Sequence, residues 1–144
     1  MPHRTEAAAL ASDLMAVLET GIALRLPLLV ADSDETYPEN GTIRLGPGWI
    51  ARRYLELGGT AIEFGKPHAP IFTAASTLCK VAPGATIMVG DNLATDIAGA
   101  NRLDLASLLV LNGGVHSGLR DAALAEAAGR CGATPTYIAP GFIW

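Results

Sequence analysis

The sequence predicts an α/β fold organised around a parallel sheet. Three observations predict it: short apolar runs of strand length alternate with segments of helical repeat, Gly- and Pro-bearing breaks separate the two, and residues able to do chemistry fall just after the strands. Half of the 144 residues are hydrophobic and 17% are charged, with 16 Gly and 9 Pro spread along the chain. That is the length of one globular domain, and the composition excludes disorder.

Over residues 6–18, Leu10, Leu14, Val17 and Leu18 recur at helical spacing, and Gly21 is the expected stop. Residues 27–31 form a wholly apolar run too short for a helix, so a buried strand is expected, followed by Asp32-Ser33-Asp34. Residues 37–47 carry Pro38, Asn40-Gly41 and Gly46-Pro47 and read as turn-rich. A helix over 48–57 places Ile50, Tyr54 and Leu57 on one face, and Gly58-Gly59 ends it. Residues 60–64 read as a strand broken by Gly65-Lys66-Pro67.

A third helix is expected with Ile71, Ala74, Ala75, Leu78 and Cys79 on its inner face. Residues 85–89 read as a buried strand ending in Gly90-Asp91-Asn92, with a helix starting near Thr95. Residues 105–111 are another apolar strand, ending in Asn112-Gly113-Gly114, then a helix over 119–128 and a short strand over 136–139. Parallel sheets bind ligands just beyond the carboxyl ends of their strands, and Lys66, Asp91 and residues 112–114 are expected on that edge.

Ten basic against fourteen acidic residues, with no basic cluster beyond Arg52-Arg53, give no footprint for a nucleic-acid backbone. No apolar run approaches the roughly 20 residues of a membrane span. Glu6, Asp13 and Glu19 interrupt the Ala-rich N-terminus, which therefore lacks the apolar stretch of a secretory signal. A cytoplasmic protein is expected. Cys79 and Cys131 have no C-x-x-C partner and are expected as buried free thiols rather than zinc ligands.

The sharpest constellation is Gly90-Asp91-Asn92-Leu93-Ala94-Thr95-Asp96, two carboxylates bracketing a strand-to-helix loop. Asp91 at the strand end suits Mg2+, which takes one or two carboxylates together with waters and phosphate oxygens. Asp96 near the helix start suits capping of backbone N–H groups or support of metal-bound water. Lys66, one of two lysines, is fixed between Gly65 and Pro67. A cation and a metal-bound carboxylate converging on one crevice is what phosphoryl transfer asks for, because its barrier falls mainly through positioning and charge neutralisation.

FGKPHAPIF followed by ATIMVGDNLATDIAGAN resembles the third and fourth motifs of the haloacid dehalogenase-like (HAD) phosphohydrolases. The order LPLLVADSDETYP, helix, GKP, GDNLATDIAGA is similar to class IIA, the branch of nitrophenyl phosphatases, phosphoglycolate phosphatase and pyridoxal phosphate phosphatase. The resemblance implies Mg2+-dependent hydrolysis of a small phosphorylated metabolite through an aspartyl-phosphate. It implies that Lys66 holds the nucleophile and phosphoryl group, that Asp91 and Asp96 form and support the metal site, and that Asn92 orients the loop and contacts substrate with Lys66. It also implies a fold consisting of a partial HAD-like Rossmannoid core with a parallel sheet, over residues 65–144, plus a remnant of a C2-type α/β cap over residues 1–64.

The family's first motif, D-x-D-G-[TV], does not occur in the sequence, nor does the strand ending in Ser or Thr that forms the second. The chain therefore reads as the carboxyl half of a class IIA protein, weak or inactive alone. Asp32-Ser33-Asp34-Glu35-Thr36 mimics the first motif with Glu where Gly is expected. If genuine, Asp32 attacks phosphorus and Asp34 protonates the leaving group. The favoured reading places this segment in the cap, where the family has N-P-D. The alternative in a different class is a non-catalytic module that binds or homodimerises through sheet edges left open. His116, after Asn112-Gly113-Gly114, lies near the expected active edge.

Overall fold

Helix α1 (His3–Ala23) runs past Gly21, the stop that the sequence suggests. Glycine serves packing there: an added Cβ would lie 2.9 Å from the Tyr54 hydroxyl. Tyr54 is buried, and its hydroxyl donates to the Leu26 carbonyl at 2.6 Å, tying the chain leaving α1 to the second helix. The turn itself is made at Arg25, which takes a left-handed φ of 54°. The structure is a computed structural model that describes residues 3–39 and 42–141.

Strand β1 (Pro27–Val30) pairs in parallel with β4 (Thr60–Glu63), Pro27 opposite Thr60 and Val30 opposite Glu63. Helix α2 (Pro47–Glu56) packs against both, with Pro47 in its first turn and Ala51 and Tyr54 buried. Between β1 and α2 an antiparallel hairpin joins β2 (Thr36–Glu39) to β3 (Thr42–Leu45). The turn-rich reading missed these strands, since β3 is exposed throughout and carries no burial alternation. The Asn40-Gly41 turn lies outside the described residues.

Helix α3 (Ala69–Cys79) leads to β5 (Ile87–Gly90) through a 3-10 turn at Pro83–Ala85. A π-type turn, Leu93–Ile97, continues as the short helix α4 (Ala98–Arg102). Then come β6 (Ala106–Val110), α5 (Asp121–Cys131) and β7 (Tyr137–Ala139). These three strands form one parallel sheet in the order β5-β6-β7. Ser107 and Thr136 stitch β6 to the approach of β7, each backbone N–H donating to the other's hydroxyl at 3.1 Å.

The core gathers on this second sheet. Leu93, Ile97 and Leu109 are fully buried with Leu124 and Ala127, and a second cluster joins Phe72, Ala100 and Leu105. Each large aliphatic residue buried this way contributes about 1.5–3 kcal/mol.

Three expectations change. Instead of one sheet, the strands fall into a β1-β4 pair, a β2-β3 hairpin and the β5-β6-β7 sheet, because parallel pairing to β1 is satisfied by β4 alone. In α3 the inward residue is Phe72, while Ile71, Leu78 and Cys79 of the expected inner stripe are exposed. The strands expected to be buried on both faces are half open: Leu29, Ile87 and Val89 all reach solvent.

Candidate functional site

The segment after β5 folds back on its own strand. The Asn92 side chain accepts from the Ala94 N–H at 2.9 Å, and its carbonyl accepts from the N–H groups of Asp96 and Ile97. This cap starts the π-type turn and swings Asp96 beneath the strand end. Gly90 permits the approach, since a Cβ there would meet the Asp96 carboxylate at 2.1 Å.

Asp96 is buried and its carboxylate is occupied by this chain's own donors. Oδ1 accepts from Lys66 Nζ at 2.7 Å, and Oδ2 accepts from the backbone N–H groups of Asp91 and Asn92, both at 3.1 Å. Lys66 thus arrives from the end of β4, in the other sheet, and meets the β5 loop. Burial alone would pull the lysine's pKa down, but the hydrogen bond and charge of Asp96, with Asp34 and Asp32 behind it, raise it above the usual 10.5. Lys66 is held as a cation.

Asp34 joins the same cluster across 58 and 61 residues of sequence. Its Oδ1 accepts from Asn92 Nδ2 and from Thr95 Oγ1, each at 2.8 Å, and its Oδ2 stands 3.9 Å from Lys66 Nζ. Asp32 instead turns the loop, its Oδ1 accepting from the Asp34 N–H at 3.0 Å. The loop is clasped from behind, Gly46 N–H donating to the Glu35 carbonyl and Gly48 N–H to that of Asp34.

Asp91 is met by the loop after β6. Its Oδ2 accepts from the Val115 N–H at 2.8 Å, while Oδ1 takes no hydrogen bond among the described residues. His116, next in sequence, accepts from the Leu93 N–H through Nε2 at 3.2 Å. Burial lowers the His116 pKa below 6.5 despite the charge of Asp91, so the neutral ring that can accept this bond is favoured.

The structure therefore brings together Lys66, Asp91, Asn92, Asp96 and Asp34, and sets Asp32 behind them as a turn residue. Sequence reasoning gave no role to Thr95, whose hydroxyl binds Asp34. The signal available was a hydroxyl and an amide flanking the acidic loop, with nothing local to say that their partner lay some 60 residues upstream. A cleft of about 400 Å3 opens beside the cluster, lined in part by Asp34, Asn92 and Thr95. The largest cavity described, about 650 Å3 along α5, is walled mainly by apolar residues such as Leu124 and Ile138 and includes none of these groups.

No three His, Cys, Asp or Glu side chains gather into a metal cage among the described residues. The donor chemistry fits one side of a hard-cation site: Asp91 offers a carboxylate oxygen, and a magnesium ion so held takes its remaining ligands from waters, substrate oxygens and other groups.

The ends of two parallel-paired strand sets, one presenting a lysine and the other an acidic strand-to-helix loop, meet in one polar cluster of an α/β fold. The profile of the HAD-hydrolase-like family matches residues 63–142, more than half of the sequence, and the chain belongs to that family. Its relatives are class IIA members. It is 34% identical over 112 residues to chronophin from Bos taurus, covering 76% of this chain and 37% of that protein. It is 38% identical over 126 residues to D-glycerol 3-phosphate phosphatase from Mycobacterium tuberculosis, covering 83% and 33%. Among solved structures, a glycerol phosphate phosphatase from Mycobacterium tuberculosis in complex with calcium superposes with a TM-score of 0.67 at 30% identity, over 89% of this chain and 36% of the other. The chain spans about a third of the length of these relatives. No helix among the described residues is long and apolar enough to cross a membrane.

Proposed function

We propose that this chain carries the phosphate-neutralising and metal-facing part of a phosphomonoester hydrolase site. The observation that carries the reading is the ion pair of Lys66 with buried Asp96, 2.7 Å long, at the strand end that also presents Asp91. Lys66 neutralises phosphoryl oxygens, and Asn92 orients the loop beside it. Asp96 fixes the lysine and the loop backbone, and Asp91 is left as the carboxylate that faces a magnesium ion. When bound, that ion would polarise phosphoryl oxygens. The calcium complex of a relative supports a divalent cation. The substrate class is a small phosphorylated metabolite, as the likeness to a D-glycerol 3-phosphate phosphatase suggests. Residues 1–64 serve as cap and residues 65–144 as core, with Asp34 as the polar contact between them. The free thiols Cys79 and Cys131 suit the cytoplasm.

Neither Asp32 nor Asp34 is assigned the attacking role. Asp32 is committed to its turn, and both hydrogen bonds at Asp34 Oδ1 hold it to the loop. The chain alone is therefore expected to hydrolyse p-nitrophenyl phosphate with Mg2+ slowly or not at all. Robust turnover abolished by Asp32→Ala would overturn this assignment.

A second reading is favoured by one observation: β5 is an edge strand of its sheet among the described residues, with Ile87 and Val89 exposed. Such an edge suits strand addition by a second copy. Light scattering on the eluting protein checks this, and a monomer at high concentration counts against it.

A further inference from the structure

We propose that the cleft beside Lys66 selects phosphate esters by the charge of their organic part. It admits hydroxyl-bearing esters that are otherwise neutral or cationic and turns away those with a second anionic group. Asp34 and Glu63 are the specificity-determining residues. The inference rests on the phosphate-binding reading of Lys66 and adds to it the class of ester.

The cleft measures about 400 Å3, a volume suited to a small ligand. Its walls include Ser33, Asp34, Glu35, Glu63, His68 and Asn92. Three carboxylates thus face one imidazole. Glu63 Oε2 meets His68 Nε2 at 2.6 Å, and both side chains are about one-third exposed, within reach of a ligand. Glu35 is paired with Arg52 at 3.1 Å. Of the three carboxylates lining the cleft, Asp34 is the one paired with the lysine, at 3.9 Å, and it cannot swing aside without losing its bonds to Asn92 and Thr95. Ser33 Oγ is buried with no hydrogen-bond partner among the described residues, a further polar group at this wall.

A phosphoryl group drawn to Lys66 leaves its substituent against this acidic lining. Hydroxyl or ammonium groups there donate to Asp34 or Glu63. A carboxylate or second phosphate meets fixed like charge in a partly dehydrated space, where repulsion is stronger than in water. Discrimination by such a clash requires no additional attractive contact.

Glycerol 3-phosphate and 3-phosphoglycerate form a matched pair, differing in a hydroxymethyl against a carboxylate. Calorimetric titration in Mg2+, with inorganic phosphate as reference, is expected to show glycerol 3-phosphate binding at least tenfold tighter. Glu63→Gln and Asp34→Asn should each narrow that ratio severalfold, the latter more. Circular dichroism establishes that each variant is folded, and Glu63→Gln keeps the test open if Asp34→Asn is not. A wild-type ratio near one, or a ratio unmoved in both variants while phosphate still binds, overturns the inference alone. Failure of the wild-type chain to bind either ester or phosphate removes the phosphate reading and this inference together.

Discussion

Strands β6 and β1 are both short, apolar and parallel-paired, yet they are buried very differently. Ser107 and Leu109 of β6 are wholly inaccessible, whereas Leu29 of β1 is 64% exposed and its sheet has two strands among the described residues. The same contrast divides the site. Asp96, on the β5-β6-β7 side, is buried under three hydrogen bonds, while Asp34, from the β1-β4 side and partly exposed, reaches Asn92, Thr95 and Lys66. The acidic loop thus stands on a packed base, and Lys66 and Asp34 reach it from the more open β1-β4 side by charge and hydrogen bonding.

Breaking each side should expose that difference. Asp96→Ala strands the lysine and two backbone N–H groups, and is expected to cost about 3–5 kcal/mol in urea unfolding. Asp34→Ala removes two hydrogen bonds at a partly exposed position and should cost about 1–2 kcal/mol. Equal losses would erase the distinction. For the strands, Leu109→Ala should destabilise by about 2–5 kcal/mol, and Leu29→Ala by less than about 1 kcal/mol. A larger effect at Leu29 would mean that something covers β1 in solution.

Acid–base behaviour sharpens the comparison at smaller amplitude. The folded-state pKa of Lys66 is raised, so its stabilising contribution is complete below about pH 10.5 and is lost as pH climbs through the higher folded value. Wild-type stability should therefore fall faster than that of Lys66→Met above pH 10.5. Parallel curves would show that the ion pair with Asp96 contributes nothing.

How legible this was in the sequence varies along the chain for physical reasons. Asp91, Asp96 and the strand before them form one continuous segment, where local periodicity and turn chemistry suffice. Lys66 was found by its position between Gly65 and Pro67, but its sheet was not, because strand partnership is decided by nonlocal packing. Asp34 drew notice as a mimic of a nucleophile motif. Its bonds to Asn92 and Thr95 depend on the β1-β4 pairing and the Gly46 and Gly48 clasp, which no short window contains. The inward face of α3 was misread for the same reason: Phe72 is chosen by Ala100 and Leu105, not by helical spacing.

The central claim is that Lys66 neutralises a phosphoryl group at the mouth bounded by Asp91 and Asp96. Titration of inorganic phosphate into the folded chain with Mg2+, followed by 31P NMR, tests it most directly. Saturable binding that weakens at least tenfold in Lys66→Ala is the predicted result; binding of equal strength in that variant, or none in the wild type, would contradict it.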